Sequence, residues 1–99
     1  MSVTFRVWCP HGGDKIRGDL ECDLEDFFGA EGEVAGGGGW PGGFDVDMEL
    51  AADEGWKAWV PRLGRMLREL GYPLGTSIEV FPPDWEEGQA VPCFQVFGE

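Results

Sequence analysis

The stretch Phe44-Asp45-Val46-Asp47-Met48-Glu49-Leu50 decides the fold. Four apolar residues alternate with three carboxylates. A period of two fits only a half-buried strand with one face in the core and the other in water. Six residues further on the period changes. Trp56, Trp59, Val60, Leu63, Met66, Leu67 and Leu70 follow spacings of three and one, the apolar stripe of a helix over 54–70. Gly71 and Pro73 end that helix. Pro61 and Gly64 lie inside it, so a kink or a late start near Val60 is expected.

Outward from this pair the same two periods recur. Val3, Phe5 and Val7 alternate with Thr4, Arg6 and Trp8, giving a first strand that Pro10, Gly12 and Gly13 stop. Leu20, Leu24, Phe27 and Phe28 share one face of a short helix over 19–28, with Asp19 as its N-cap and Gly29 as its stop. Residues 76–81 give a further strand with Ile78 and Val80 inward. Residues 91–97 give a last one, which Pro92 confines to an edge. Between the first helix and the Phe44 strand, residues 29–43 hold eight glycines. That much backbone freedom predicts a flexible loop, with at most a short edge strand at Glu33 to Ala35.

The order is strand, helix, weak strand, strand, helix, strand, strand. Two strand–helix–strand halves in tandem predict an α+β fold in one domain over 1–99. The specific expectation is a ferredoxin-like split βαβ sandwich with a C-terminal edge strand, two helices covering one face of an antiparallel sheet. The first strand then lies between the strands at 44–50 and 76–81. Fold analogy carries no function with it.

Composition bounds the function. Nineteen acids against seven bases give a net charge of -12 and a pI near 4.2. Nucleic-acid binding through phosphates needs the opposite balance. No apolar run is long enough to span a membrane, and the N-terminus reads as a strand and not as a secretory signal. Three cysteines, an odd number, argue against a disulfide scaffold, so a cytoplasmic setting with free thiols is expected.

Five groups of residues carry candidate chemistry. Asp45, Asp47 and Glu79, with Glu49, surround Arg6 on the face away from the helices. The functional reading is a divalent-metal site of the nucleotidyl-transfer kind, which needs hard oxygen ligands on neighbouring strands. The plainer reading, which the residues favour, is a solvated strand face with Arg6 as its counter-ion. Cys9, His11, Cys22 and Cys93 supply the ligand count for zinc, but lack the short spacing of a zinc knuckle; the favoured reading is ordinary packing. Cys9 with His11 as base makes a minimal nucleophile pair with no third orienting group. The glycine run lacks the base and the following helix of a phosphate loop. The 57–70 segment, with Lys57, Arg62, Arg65 and Arg68, is net +3 against net -5 in the first helix, and is expected to pair with it across the helix layer.

The fifth group is aromatic. Trp8 and Phe81 share the parity of Arg6 and Glu79, and Trp40 and Trp85 lie in adjoining loops. A ring-lined patch with an acidic border marks a partner surface. The expected function is therefore a small acidic, non-enzymatic interaction module. It would use Trp8, Trp40, Phe81, Trp85 and Arg6 on its open sheet face to bind a protein or ligand, or a second copy of itself, with no cofactor, nucleic acid or membrane.

Overall fold

The computed structural model describes residues 2–11, 16–51, 55–82, 85–86 and 88–97. Five strands and two helices follow one another as β1 (Ser2–Pro10), α1 (Arg17–Phe28), β2 (Gly32–Trp40), β3 (Gly43–Ala51), α2 (Trp56–Glu69), β4 (Ser77–Phe81) and β5 (Cys93–Gln95). The strands make one antiparallel sheet in the order β2-β3-β1-β4-β5. β1 lies between β3 and β4, where the alternating patterns put it. The register sets Phe5 beside Met48 and Val80, and Arg6 beside Asp47 and Glu79.

The inward residues of these strands are buried: Val3, Phe5, Val7 and Cys9 on β1, Phe44, Val46, Met48 and Leu50 on β3, Ile78 and Val80 on β4. Leu20, Leu24 and Phe28 of α1 and Trp56, Leu63 and Leu67 of α2 close the core from one side. Each such side chain contributes about 1.5–3 kcal/mol by leaving water. A line of rings ties the layers together. Phe5 meets Phe28 at 5.8 Å, Phe28 meets Trp59 at 5.0 Å, and Phe27 meets Trp59 at 5.7 Å.

Three local expectations change. The glycine-rich segment, expected as a loop over 29–43, forms a 3-10 turn at Gly29–Glu31 and then nine residues of edge strand in β2. β2 pairs with β3 from Gly32–Leu50 to Trp40–Gly43, with a bulge between Val34 and Gly36. Ladder hydrogen bonds to β3 offset the chain entropy that made a loop the natural reading. One glycine there is obligatory. Gly37 has φ +150°, and a Cβ on it would run into the Asp45 carbonyl oxygen and lie 3.1 Å from Val46 Cα.

α1 begins two residues before Asp19, so Asp19 is its third residue and not its N-cap. Its carboxylate accepts the Ile16 N–H at 3.0 Å, satisfying a donor at the helix start. α2 passes through Pro61 as one helix from Trp56. Pro61 is the sixth residue of α2, so the helical bond it removes is the one to the Lys57 carbonyl in the first turn.

The two helices do not meet by ion pairing. Among the described residues no salt bridge joins α1 to α2. The Arg62 guanidinium instead lies over the Trp59 ring at 4.6 Å and the Phe27 ring at 5.9 Å. Beyond α2, Tyr72 Oη donates to Asp23 of α1 at 2.6 Å. Burial, followed by that bond to Asp23, pushes the Tyr72 hydroxyl pKa far up.

Candidate binding face

The sheet face away from the helices is organised around Arg6. Its guanidinium donates to Asp47 through Nε at 2.7 Å and Nη2 at 3.2 Å, and lies 3.7 Å from Asp45. The side chains are 34%, 18% and 14% exposed for Arg6, Asp47 and Asp45, so this is a half-buried network and not a free surface pair. The bond to Asp47 holds the Arg6 pKa above its ordinary value, against the opposing effect of burial. Asp45 is pushed up by burial and then by the charge of Asp47, with Arg6 pulling the other way.

Rings flank this centre. The Arg6 guanidinium is 5.7 Å from the Trp8 ring and 5.0 Å from the Phe81 ring. Trp40 packs edge-on against Trp8 at 4.9 Å, and Trp85 edge-on against Phe81 at 5.1 Å. Trp8 Nε1 donates to Glu79, which fixes the indole and satisfies its one donor. The structure therefore brings Arg6, Trp8, Trp40, Phe81 and Trp85 onto one face. Trp40 reaches it by a route that parity alone does not give. The bulge after Val34 places Gly36 opposite Asp47 and Gly38 opposite Asp45, and so carries Trp40 to the Trp8 side. With glycine at those two positions, no β2 side chain screens the two carboxylates.

The alternative sets do not assemble in this way. Asp45 and Asp47 engage Arg6, while Glu79, on the opposite side of it, accepts from Trp8. A cation bound by all three would have to displace the protein's own donors. The zinc set is dispersed. Cys9 is 1% exposed in the core under the helices, Cys22 is exposed on α1, Cys93 is exposed beside Glu79 at the sheet edge, and His11 is exposed against Phe44. No group of three or more His, Cys, Asp or Glu among the described residues is placed to hold a metal ion. The Cys9–His11 pair also fails on chemistry. Burial pushes the Cys9 thiol pKa up, whereas a nucleophilic cysteine needs it lowered.

A concave feature lies on the helix side and left no motif in the sequence. A groove of about 820 Å³ runs between α2 and the β4–β5 edge. Among the described residues, Trp56, Val60, Ile78, Phe94 and Val96 make its apolar walls, with Gly64 and Pro61 on α2 and Lys57 and Arg68 as its charged residues. The signal that points to it is a glycine in the buried stripe of a helix.

Among the described residues no helix is long and apolar enough to cross a membrane. Comparison of the chain with protein-family models, with curated proteins and with solved structures finds no match to any of them.

Proposed function

We propose that this chain is a non-enzymatic binding module whose sheet face opposite the helices docks a basic segment of a protein partner. One observation carries the reading. A single half-buried cation is locked between two aromatic pairs, among carboxylates that outnumber it, and no β2 side chain covers Asp45 and Asp47. Among the described strand residues, Asp45, Asp47, Glu49, Glu79 and Glu33 share this face with one cation, Arg6. Rings beside a surplus of carboxylates suit Lys and Arg side chains, whose stems lie on rings while their charges meet acids. The net charge of -12 favours a basic protein and disfavours nucleic acid, and free thiols fit a cytoplasmic setting. A second copy of this chain is a poorer occupant, because two such faces would oppose like charges.

At its finer level we read the fold as a ferredoxin-like split βαβ arrangement extended by β5. The position of β1 between β3 and β4 supports this.

Calorimetric titration with a Lys- and Arg-rich peptide containing aromatic residues, against a Glu-rich counterpart, tests the function. The expected result is salt-sensitive binding of the basic peptide alone, weakened about tenfold or more by the Trp8→Ala/Phe81→Ala double variant. Equal binding by that variant, with its fold intact by circular dichroism, would refute the reading.

A further inference from the structure

The groove on the helix side is independent of the docking face. It lies on the opposite side of the sheet and shares none of the five residues assigned above. Its origin is a mismatch of widths: β5 extends the sheet past β4, and α2 presents Pro61 and Gly64 toward that extension. Gly64 is buried in the middle of a helix, where glycine costs about 1 kcal/mol against alanine. The fold does not require it. A Cβ at position 64 would find only Arg68 Nη1 within reach, at 3.7 Å. The space left there is the floor of the groove. Phe94, paired with Ile78 on β5, forms a wall and stays 37% exposed.

The charges around this space are unusual for the chain. Of 99 residues 19 are acidic, yet among the described residues the charged ones lining the groove are Lys57 and Arg68. Neither pairs with a carboxylate among the described residues. The Arg68 guanidinium is held in place because Nη1 donates to the Val96 carbonyl at 2.7 Å. That uses one of five N–H donors and leaves the others pre-positioned beside Gly64. From Gly64 to Trp56 the helix rises about 12 Å, an apolar lane the length of a medium alkyl chain. The volume lies within the range of small-molecule sites, roughly 300–1,000 Å³.

We infer that this groove binds a small amphipathic carboxylate, its head on Arg68 and its apolar chain along Gly64, Val60, Trp56 and Phe94, with Lys57 adding to the attraction. Peptides and a second copy of the chain are the competing occupants. The chain's own surplus of acids disfavours the second copy less clearly here than on the docking face, so the test addresses it directly.

Laurate, dodecanol and dodecyltrimethylammonium, each kept below its micelle-forming concentration, are titrated calorimetrically into the wild type, Gly64→Leu and Arg68→Gln. Sedimentation runs in parallel. The expected result is one laurate per chain, with dodecanol weaker and the cationic amphiphile weaker still. Gly64→Leu fills the floor and should reduce laurate affinity about tenfold or more, while its melting temperature stays equal or rises because a helix former replaces glycine. Arg68→Gln should cost a similar factor through loss of the charge-assisted contact, and Lys57→Gln, which leaves the Val96 contact in place, a smaller one. Four results would each overturn the inference: no laurate binding by the wild type, equal binding of the cationic amphiphile, unchanged affinity in a folded Gly64→Leu, or a wild-type dimer that Gly64→Leu dissociates. The last would assign the groove to self-association.

Discussion

Replacing Arg6 by methionine keeps an apolar stem between Trp8 and Phe81 and removes the charge. The stability it should cost follows from three contacts. The two bonds to Asp47, at 2.7 and 3.2 Å, are charge-assisted, a class that contributes about 1.5–3 kcal/mol when shielded and below about 1 kcal/mol when fully exposed. At 34% and 18% exposure the pair belongs between these limits. Two half-exposed cation–π contacts add about 0.5 kcal/mol each. Removing the guanidinium also leaves Asp45 and Asp47 facing each other without their counter-ion, which is the larger penalty in partly buried pairs. We expect Arg6→Met to lose about 2 kcal/mol, or about 8–16 °C in melting temperature for a domain of this size.

Asp47→Asn alone should lose less, since the amide still accepts a hydrogen bond. The double variant Arg6→Met/Asp47→Asn should be more stable than the sum of the two losses, with a coupling of about 1–2 kcal/mol. Urea unfolding of the four proteins at neutral pH and low salt measures the cycle. A coupling within about 0.3 kcal/mol of zero would refute the reasoning, because it would make the network a screened surface pair.

The remaining predictions concern other parts of the chain. Gly43→Ala should destabilise by about 1–3 kcal/mol, since its Cβ would run into the Cys9 carbonyl oxygen and lie 2.8 Å from Pro10 Cα, backbone atoms that cannot swing away. Gly36→Ala and Gly38→Ala, whose Cβ atoms find nothing nearer than 3.8 and 3.9 Å, should leave stability equal or raise it by about 0.4–1 kcal/mol through the unfolded chain; chemical denaturation separates the two classes. Toward a thiol reagent under native conditions Cys22 and Cys93 should react quickly and Cys9 only after unfolding, and three equally fast thiols would contradict the burial. Asp45 has a raised carboxyl pKa, so the native state takes up its proton at a higher pH than the unfolded chain does. The ionised group therefore costs stability at neutral pH, and the cost disappears as pH falls through the raised and then the ordinary carboxylate range. Asp45→Asn should be the more stable protein at pH 7, with the difference shrinking toward acid; a less stable Asn variant at pH 7 would contradict this.

Much of the architecture is legible from side-chain period because β1, β3, β4 and α2 each bury one face. Once β1 is placed between β3 and β4, parity alone puts Arg6 among Asp45, Asp47 and Glu79. β2 escapes such a reading, since four consecutive glycines have no side chains to alternate and pairing, not propensity, makes them a strand. Trp40 escapes for a related reason: its face depends on a bulge that only the register with β3 reveals. The start of α1 is hidden because an aspartate can serve a helix N-terminus from its third position as well as from its cap. The groove is least legible of all, because it arises from what Gly64 and Pro61 lack and from the length of a three-residue strand far away in sequence.

The glycines of β2 bear on how this protein behaves when crowded. A nine-residue edge strand exposes a row of backbone donors and acceptors to any passing chain, a recognised route to fibres. Fibre growth needs more than the backbone, because stacked sheets cohere through interdigitated side chains in dry seams. Positions 36–39 offer a newcomer hydrogen bonds and nothing to interlock with. Such an edge can accept one neighbouring strand but gives a second sheet no grip, so concentrated protein should resist conversion to amyloid at this edge, and substitution of Gly36, Gly38 and Gly39 by valine or isoleucine, with Gly37 kept, should remove that resistance.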